Sequence, residues 1–110
     1  MSRKFALFAP YITSPDAPAL RARIHTPHVA RLKELLAAGV IKFGGPFYND
    51  AGAGENAAQR AFGGTFLLLE AESHEEALKI IQADEYYKEG LWDVAHIRLV
   101  EYNPLSGYPF

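Results

Sequence analysis

The sequence predicts an α+β fold of the ferredoxin-like kind, βαββαβ: a four-stranded antiparallel sheet with two helices on one face. Three observations carry this. An amphipathic helix runs up to Gly39, and a second opens at the capping pair Ser73 and Glu76. Around them lie four apolar or alternating stretches bounded by Gly, Pro, Asn or Asp.

The first strand is read at Lys4–Tyr11, loosely alternating and aromatic. Residues 13–16 form a turn cluster. Leu20 and Ile24 then fall four apart on a helical face. The junction at Pro27 admits two forms. Thr26 can N-cap a new helix whose first residue is Pro27, or one kinked helix runs from about 17 to 38. The single helix is favoured, because it puts Leu20, Ile24, His28 and Leu35 on one face. Val29, Leu32, Leu35 and Leu36 fall in the same apolar stripe. Gly39 supplies the left-handed residue that closes the helix.

Val40–Tyr48 reads as the second strand, with Gly44–Gly45 marking a bulge or a close backbone approach. Residues 49–60 are the one long loop, polar and glycine-containing, expected to be mobile and to border a site. Phe62–Ala71 is the third strand, its Phe66–Leu69 run implying burial on both faces. The capped helix extends to about Asp84 with Ala77, Ile80 and Ile81 inward and Asp84 on the same face. Trp92–Tyr102 alternates as the fourth strand. Val94, His96, Arg98, Val100 and Tyr102 share one face of it, and Ala95, Ile97 and Leu99 the other. Residues 103–110 are a Pro/Gly/aromatic tail. The chain is thus one domain, 1–110, with its core at 4–102.

The 110 residues are 49% hydrophobic and 13% aromatic, as in a folded globular chain. Eleven basic and 13 acidic residues leave a net charge of −2, which gives no electrostatic footprint for nucleic acid. There is no cysteine, which excludes disulfides, thiolate metal sites and a cysteine nucleophile. No segment approaches the roughly 18 apolar residues of a membrane helix, and the first apolar run is too short for a signal sequence. A soluble cytoplasmic protein without membrane or nucleic-acid partners is expected.

His28 carries the main chemical clue. An inward imidazole is either a core histidine satisfied by a backbone carbonyl or a titratable group aimed at a cavity. Asp84 is likewise either a plain N-cap for the turn at 85–88 or a partner for that imidazole. The mixed face of the fourth strand suits a second subunit or a cavity, so a homodimer through the sheets is expected. His96 and Arg98 line such a seam or hold an anionic substrate group. His25 and His74 are read as surface residues. Tyr86 and Trp92 are read as packing at a pocket mouth, and no ligand spacing suggests a metal.

His28-Val29-Ala30-Arg31-Leu32, Gly39, Gly45-Pro46, Phe62-Gly63-Gly64, Ala83–Tyr86 and Gly90-Leu91-Trp92 together resemble the YCII-related family over about residues 4–101. The family usually shows Asp-Pro-Tyr where this chain has Asp84-Glu85-Tyr86. The resemblance implies a dimeric α+β barrel with sheets face to face and an active site of one histidine and one aspartate, here His28 and Asp84. One branch is similar to dehydrochlorinases of hydroxylated rings. The expectation is a small cofactor-free lyase or isomerase acting on a small cyclic or aromatic-derived compound. Its catalytic residues are His28 and Asp84, and Gly45, Pro46, Tyr86, Trp92, His96 and Arg98 contact substrate. A non-catalytic binding protein and a cofactor-independent monooxygenase on the same fold are the alternatives.

Overall fold

The computed structural model describes residues 2–49 and 61–106. The expected loop at 49–60 and the end of the aromatic tail therefore lie outside the described residues, save Asn49 and residues 103–106. Strands β1 (Arg3–Pro10), β2 (Ile41–Tyr48), β3 (Phe62–Ala71) and β4 (Arg98–Glu101) form one antiparallel sheet in the order β2-β3-β1-β4. Helices α1 (Ala17–Ala37), α2 (His74–Gln82) and the single turn α3 (Glu85–Lys88) complete the βαββαβ plan.

α1 is one helix through Pro27. Thr26 sits exposed inside it and caps nothing, in line with the single helix favoured over a new start at Thr26. The proline in the first turn is Pro18, not Pro27. The face formed by Ile24, His28, Leu32 and Leu35 packs on the core, and this continuity overrides the bond Pro27 cannot donate. Leu36, expected in the stripe, is 55% exposed because it stands about 100° round the helix from Leu35. Gly39 ends α1 with φ +77°; Gly39 N–H donates to the Leu36 carbonyl and Val40 N–H to that of Leu35. That pair of bonds is the Schellman arrangement.

Ser73 caps α2, its Oγ accepting from Glu76 N–H at 3.1 Å. The helix stops at Gln82, two residues short of Asp84. In β2 the irregularities fall around Lys42 and between Phe47 and Tyr48, not at Gly44–Gly45. Gly44 instead marks a close approach, since a side chain there would run into the Phe66 carbonyl. Pro46 is tolerated because β2 is an edge strand.

The fourth strand is shorter than the alternation suggests. Trp92 makes only an isolated bridge to Tyr11, and residues 94–96 form a 3₁₀ turn. Asp93 takes a local hydrogen bond from His96 N–H, and such bonds compete with a strand ladder. The core lies between the sheet and the helices. Phe5, Leu7 and Ala9 of β1 and Leu67, Leu69 and Ala71 of β3 meet Ile24, Ala77, Ile81 and Trp92 there. Phe66 and Leu68 point the other way and are only half-buried, so the run in β3 is not covered on both faces. Phe8, Phe43 and Val100 are exposed on that open face, and Phe8 stacks on Phe47 at 4.6 Å.

Candidate functional site

The site forms where the second half of α1 meets α3 under the sheet. Ile24 and His28, one turn apart on α1, are both buried. Asp84 is buried as well, at 1% exposure. It lies past α2 in extended backbone and caps α3, its Oδ1 accepting from Tyr86 N–H at 2.8 Å. The same oxygen lies 2.7 Å from His28 Nδ1. With an ionised carboxylate as acceptor, Nδ1 carries the hydrogen, and Nε2 keeps the lone pair. Asp84 is thus both cap and histidine partner. Its carboxylate faces a free N–H group rather than the negative end of a helix, so no macrodipole penalty needs offsetting.

The second carboxylate oxygen, Oδ2, is buried without a hydrogen bond among the described residues. Arg31 Nη1 stands 3.7 Å away, and the guanidinium is tied to the Ile80 carbonyl through Nη2 at 2.7 Å. This cation offsets the buried charge electrostatically.

The imidazole is clamped on its flat side. The Tyr86 ring stacks on it at 3.5 Å and 5° from parallel, and Trp92 meets both rings edge-on. Trp92 Nε1–H donates to Thr65 Oγ1 at 3.1 Å. The Tyr86 hydroxyl lies 2.7 Å from His25 Nδ1. Burial, then the nearby Tyr11 hydroxyl, push the Tyr86 phenol up to about 12, so it stays protonated. Burial, then the Arg21 charge and His28, hold His25 below its ordinary range.

A cavity of about 90 Å³ borders this cluster, lined by His28, His25, Tyr86, Arg21, Tyr11, Thr65, Gly45 and Pro46 among others. It is smaller than the roughly 150 Å³ cavity known to admit benzene. A neighbouring cavity of about 270 Å³ shares Tyr11 and Arg21 with it. The arrangement offers one nitrogen lone pair, several hydrogen-bond donors and one cation around a small space. A group so built can remove a proton and steady the charge that results.

Of the residues singled out in the sequence, His28, Gly45, Pro46 and Tyr86 gather at the cavity. Asp84 stands behind the imidazole. Trp92 lies beneath the site at 1% exposure rather than at its mouth. His96 and Arg98 do not line this cavity. His96 sits exposed on the 3₁₀ turn with its ring 2.7 Å from Asp93, and Arg98 is exposed on β4 opposite Phe8. His25, taken for a surface residue, is half-buried and lines the cavity. Arg21, Tyr11 and Thr65 were not singled out. The signal for the first was present, since 21, 25 and 28 follow helical spacing. Among the described residues no group of three or more His, Cys, Asp or Glu could hold a metal ion, and no helix is long and apolar enough to cross a membrane.

Comparison with solved structures finds the 5-chloro-2-hydroxyhydroquinone dehydrochlorinase of Burkholderia phenoliruptrix AC1100, determined in complex with 2,5-dihydroxybenzoquinone. The TM-score is 0.72 with 27% identity, covering 91% of this chain and 93% of that one. Among curated proteins the chain is 32% identical over 97 residues to fusaric acid biosynthesis protein 2 of Gibberella fujikuroi, covering 87% of this chain and 83% of that protein. The protein of the same name from Gibberella moniliformis is 31% identical over 86 residues, covering 77% and 80%. The family model described as the YCII-related domain matches from Phe5, the first buried residue of β1, to Glu101, the last residue of β4. The chain belongs to the YCII-related family.

Proposed function

We propose that the chain is a lyase or isomerase acting on a small hydroxylated ring compound, with His28 as the general base. The observation that carries this is the buried His28–Asp84 bond, which leaves Nε2 without a partner among the described residues on a ring that lines a cavity. Asp84 holds the tautomer and favours the imidazolium that forms once the proton is taken. In an elimination from a hydroxylated ring, ketonisation first moves a hydroxyl proton to the chlorine-bearing carbon. A second hydroxyl proton then goes to Nε2, the oxygen's electrons form a C=O, and the shifted ring electrons expel chloride with its electron pair. The dehydrochlorinase relative, at 27% identity, supports the reaction class.

A purely structural pair is the rival, favoured by the capping bond from Tyr86 N–H to the same carboxylate oxygen. Chloride release from 5-chloro-2-hydroxyhydroquinone separates the two. His28→Gln should cut turnover by about 10²–10⁴-fold while the dimer and ligand affinity persist. Equal rates in both proteins would leave only the structural role.

The working unit in this reading is a homodimer joined through the open sheet face. Phe8, Phe43 and Val100 are exposed there beside half-buried Phe66 and Leu68, an apolar surface that a small monomer rarely leaves in water. Sedimentation should show a species of twice 12.2 kDa at micromolar concentration, and Phe66→Asp should shift it toward the monomer. A wild-type protein that sediments only at 12.2 kDa would rule this out.

A further inference from the structure

We infer that Arg21 is an anion-binding anchor: the ligand of this cavity carries a carboxylate or adjacent acidic ring oxygens, and the Arg21 guanidinium takes that group in the seam between the two cavities. The inference rests on the reading of the His28 cavity as a substrate site and names the class of substrate.

Arg21 lines both the 90 Å³ cavity that holds His28 and the neighbouring 270 Å³ cavity. Two contacts hold it in place, and neither supplies a counter-anion. Nε–H donates to the Tyr11 hydroxyl at 3.2 Å, and the guanidinium lies over the Phe62 ring at 4.6 Å. Its Nη groups make no hydrogen bond among the described residues, so four of the five N–H donors stay available. Three of the four other described arginines differ, the exposed Arg98 alone having no carboxylate bridge among the described residues either. Arg3 is bridged by Glu101, Arg23 by Glu89 and Arg31 by Asp84. Arg21 has no such carboxylate among the described residues, although it is half-buried.

Among the described residues nothing nearby balances that charge. Among the described residues no Asp or Glu lines either cavity. A permanently charged, half-desolvated fork beside apolar walls is favourable chiefly when an anion completes it. Paired oxygens suit its bidentate geometry. The larger cavity exceeds the volume known to hold benzene, so a single ring fits there beside the fork, which also lines the smaller cavity at His28.

Equilibrium binding of two probes tests this without any turnover: 2,5-dihydroxybenzoquinone, which is acidic, and its dimethyl ether, which is neutral. Wild type should bind the acidic probe more tightly. Arg21→Gln should weaken that binding by about 10–100-fold and leave the ether within about twofold. Arg21→Lys, which keeps the charge but not the fork, should fall between and covers the case in which Arg21→Gln is poorly folded. Wild type that binds neither probe, or prefers the ether, overturns the anchor. So does an Arg21→Gln protein that holds the acidic probe within twofold of wild type. Arg21-dependent binding with no chemistry at His28 would keep the anchor and remove the lyase reading; turnover with Arg21-independent binding would do the reverse.

Discussion

Two histidine–aspartate contacts in this molecule are the same by distance and unlike in every other respect. His28 Nδ1 to Asp84 Oδ1 and His96 Nδ1 to Asp93 Oδ2 are both 2.7 Å. The side chains of the first pair are 5% and 2% exposed, those of the second 73% and 33%. Asp93 and His96 are three apart on one turn, whereas 56 positions separate His28 from Asp84. The exposed pair is screened and free to open. The buried pair is stacked under Tyr86, wedged by Trp92 and backed by Arg31. What separates a catalytic candidate from a surface contact here is the desolvated clamp around the bond, not the bond.

The sharpest way to break the comparison is to remove each aspartate. Asp84→Ala takes away a helix cap and a buried partner and leaves Arg31 without its counter-charge. It should cost about 3–5 kcal/mol, read by denaturant unfolding. A loss near zero would make the two pairs equivalent. An intermediate effect belongs to His25, the other imidazole at the cavity. Burial and the Arg21 charge disfavour its protonated form in the folded chain. Below 6.5 the unfolded chain therefore binds more protons at this residue than the folded one does. The stability that goes with neutral His25 is present above 6.5 and is lost as the pH falls toward the lower folded value. Thermal melts should show a decline in that window, and His25→Gln should flatten it. The window is distinct from the one set by Glu70, whose bonds to Lys4 and Lys42 hold above the carboxylate reference of 4.5 and lose their contribution as the pH falls below it. An unchanged slope in His25→Gln would assign the decline elsewhere. The smallest effect is Asp93→Ala, within about 0.5 kcal/mol by the same unfolding assay.

The sequence made the buried pair legible because regular periods survive in it. A helix through Pro27 turns His28 inward, and the face of Ala77 and Ile81 carries on to Asp84. The strand bounds of β3 follow from its unbroken apolar run. His25 reads as a surface residue for a local reason: it adjoins the candidate helix start at Thr26 and Pro27, where side chains are usually exposed. Packing of Ile24 and His28 on one core face decides otherwise, and that is a tertiary fact. The stretch from Trp92 to Ile97 misleads in the same way. Its alternation mimics a strand, while Asp93 closes a turn by bonds that no pattern of hydropathy encodes. Arg21 shows the opposite limit, since its charge is plain in the sequence but its want of a carboxylate partner among the described residues is visible only in three dimensions.

The strand order has a consequence for how the protein comes into being. β1 lies in the middle of the sheet, yet both its neighbours, β3 and β4, are made from the second half of the chain. A nascent chain ending anywhere before β3 holds α1 and its histidines with no central sheet to pack on, and Asp84 follows later still. Sequence-distant pairings of this kind slow folding, because loop closure is costly before the contacts reward it. The His28–Asp84 bond also spans the two βαβ halves. It can close only after they have docked, so a partly folded chain has no assembled base.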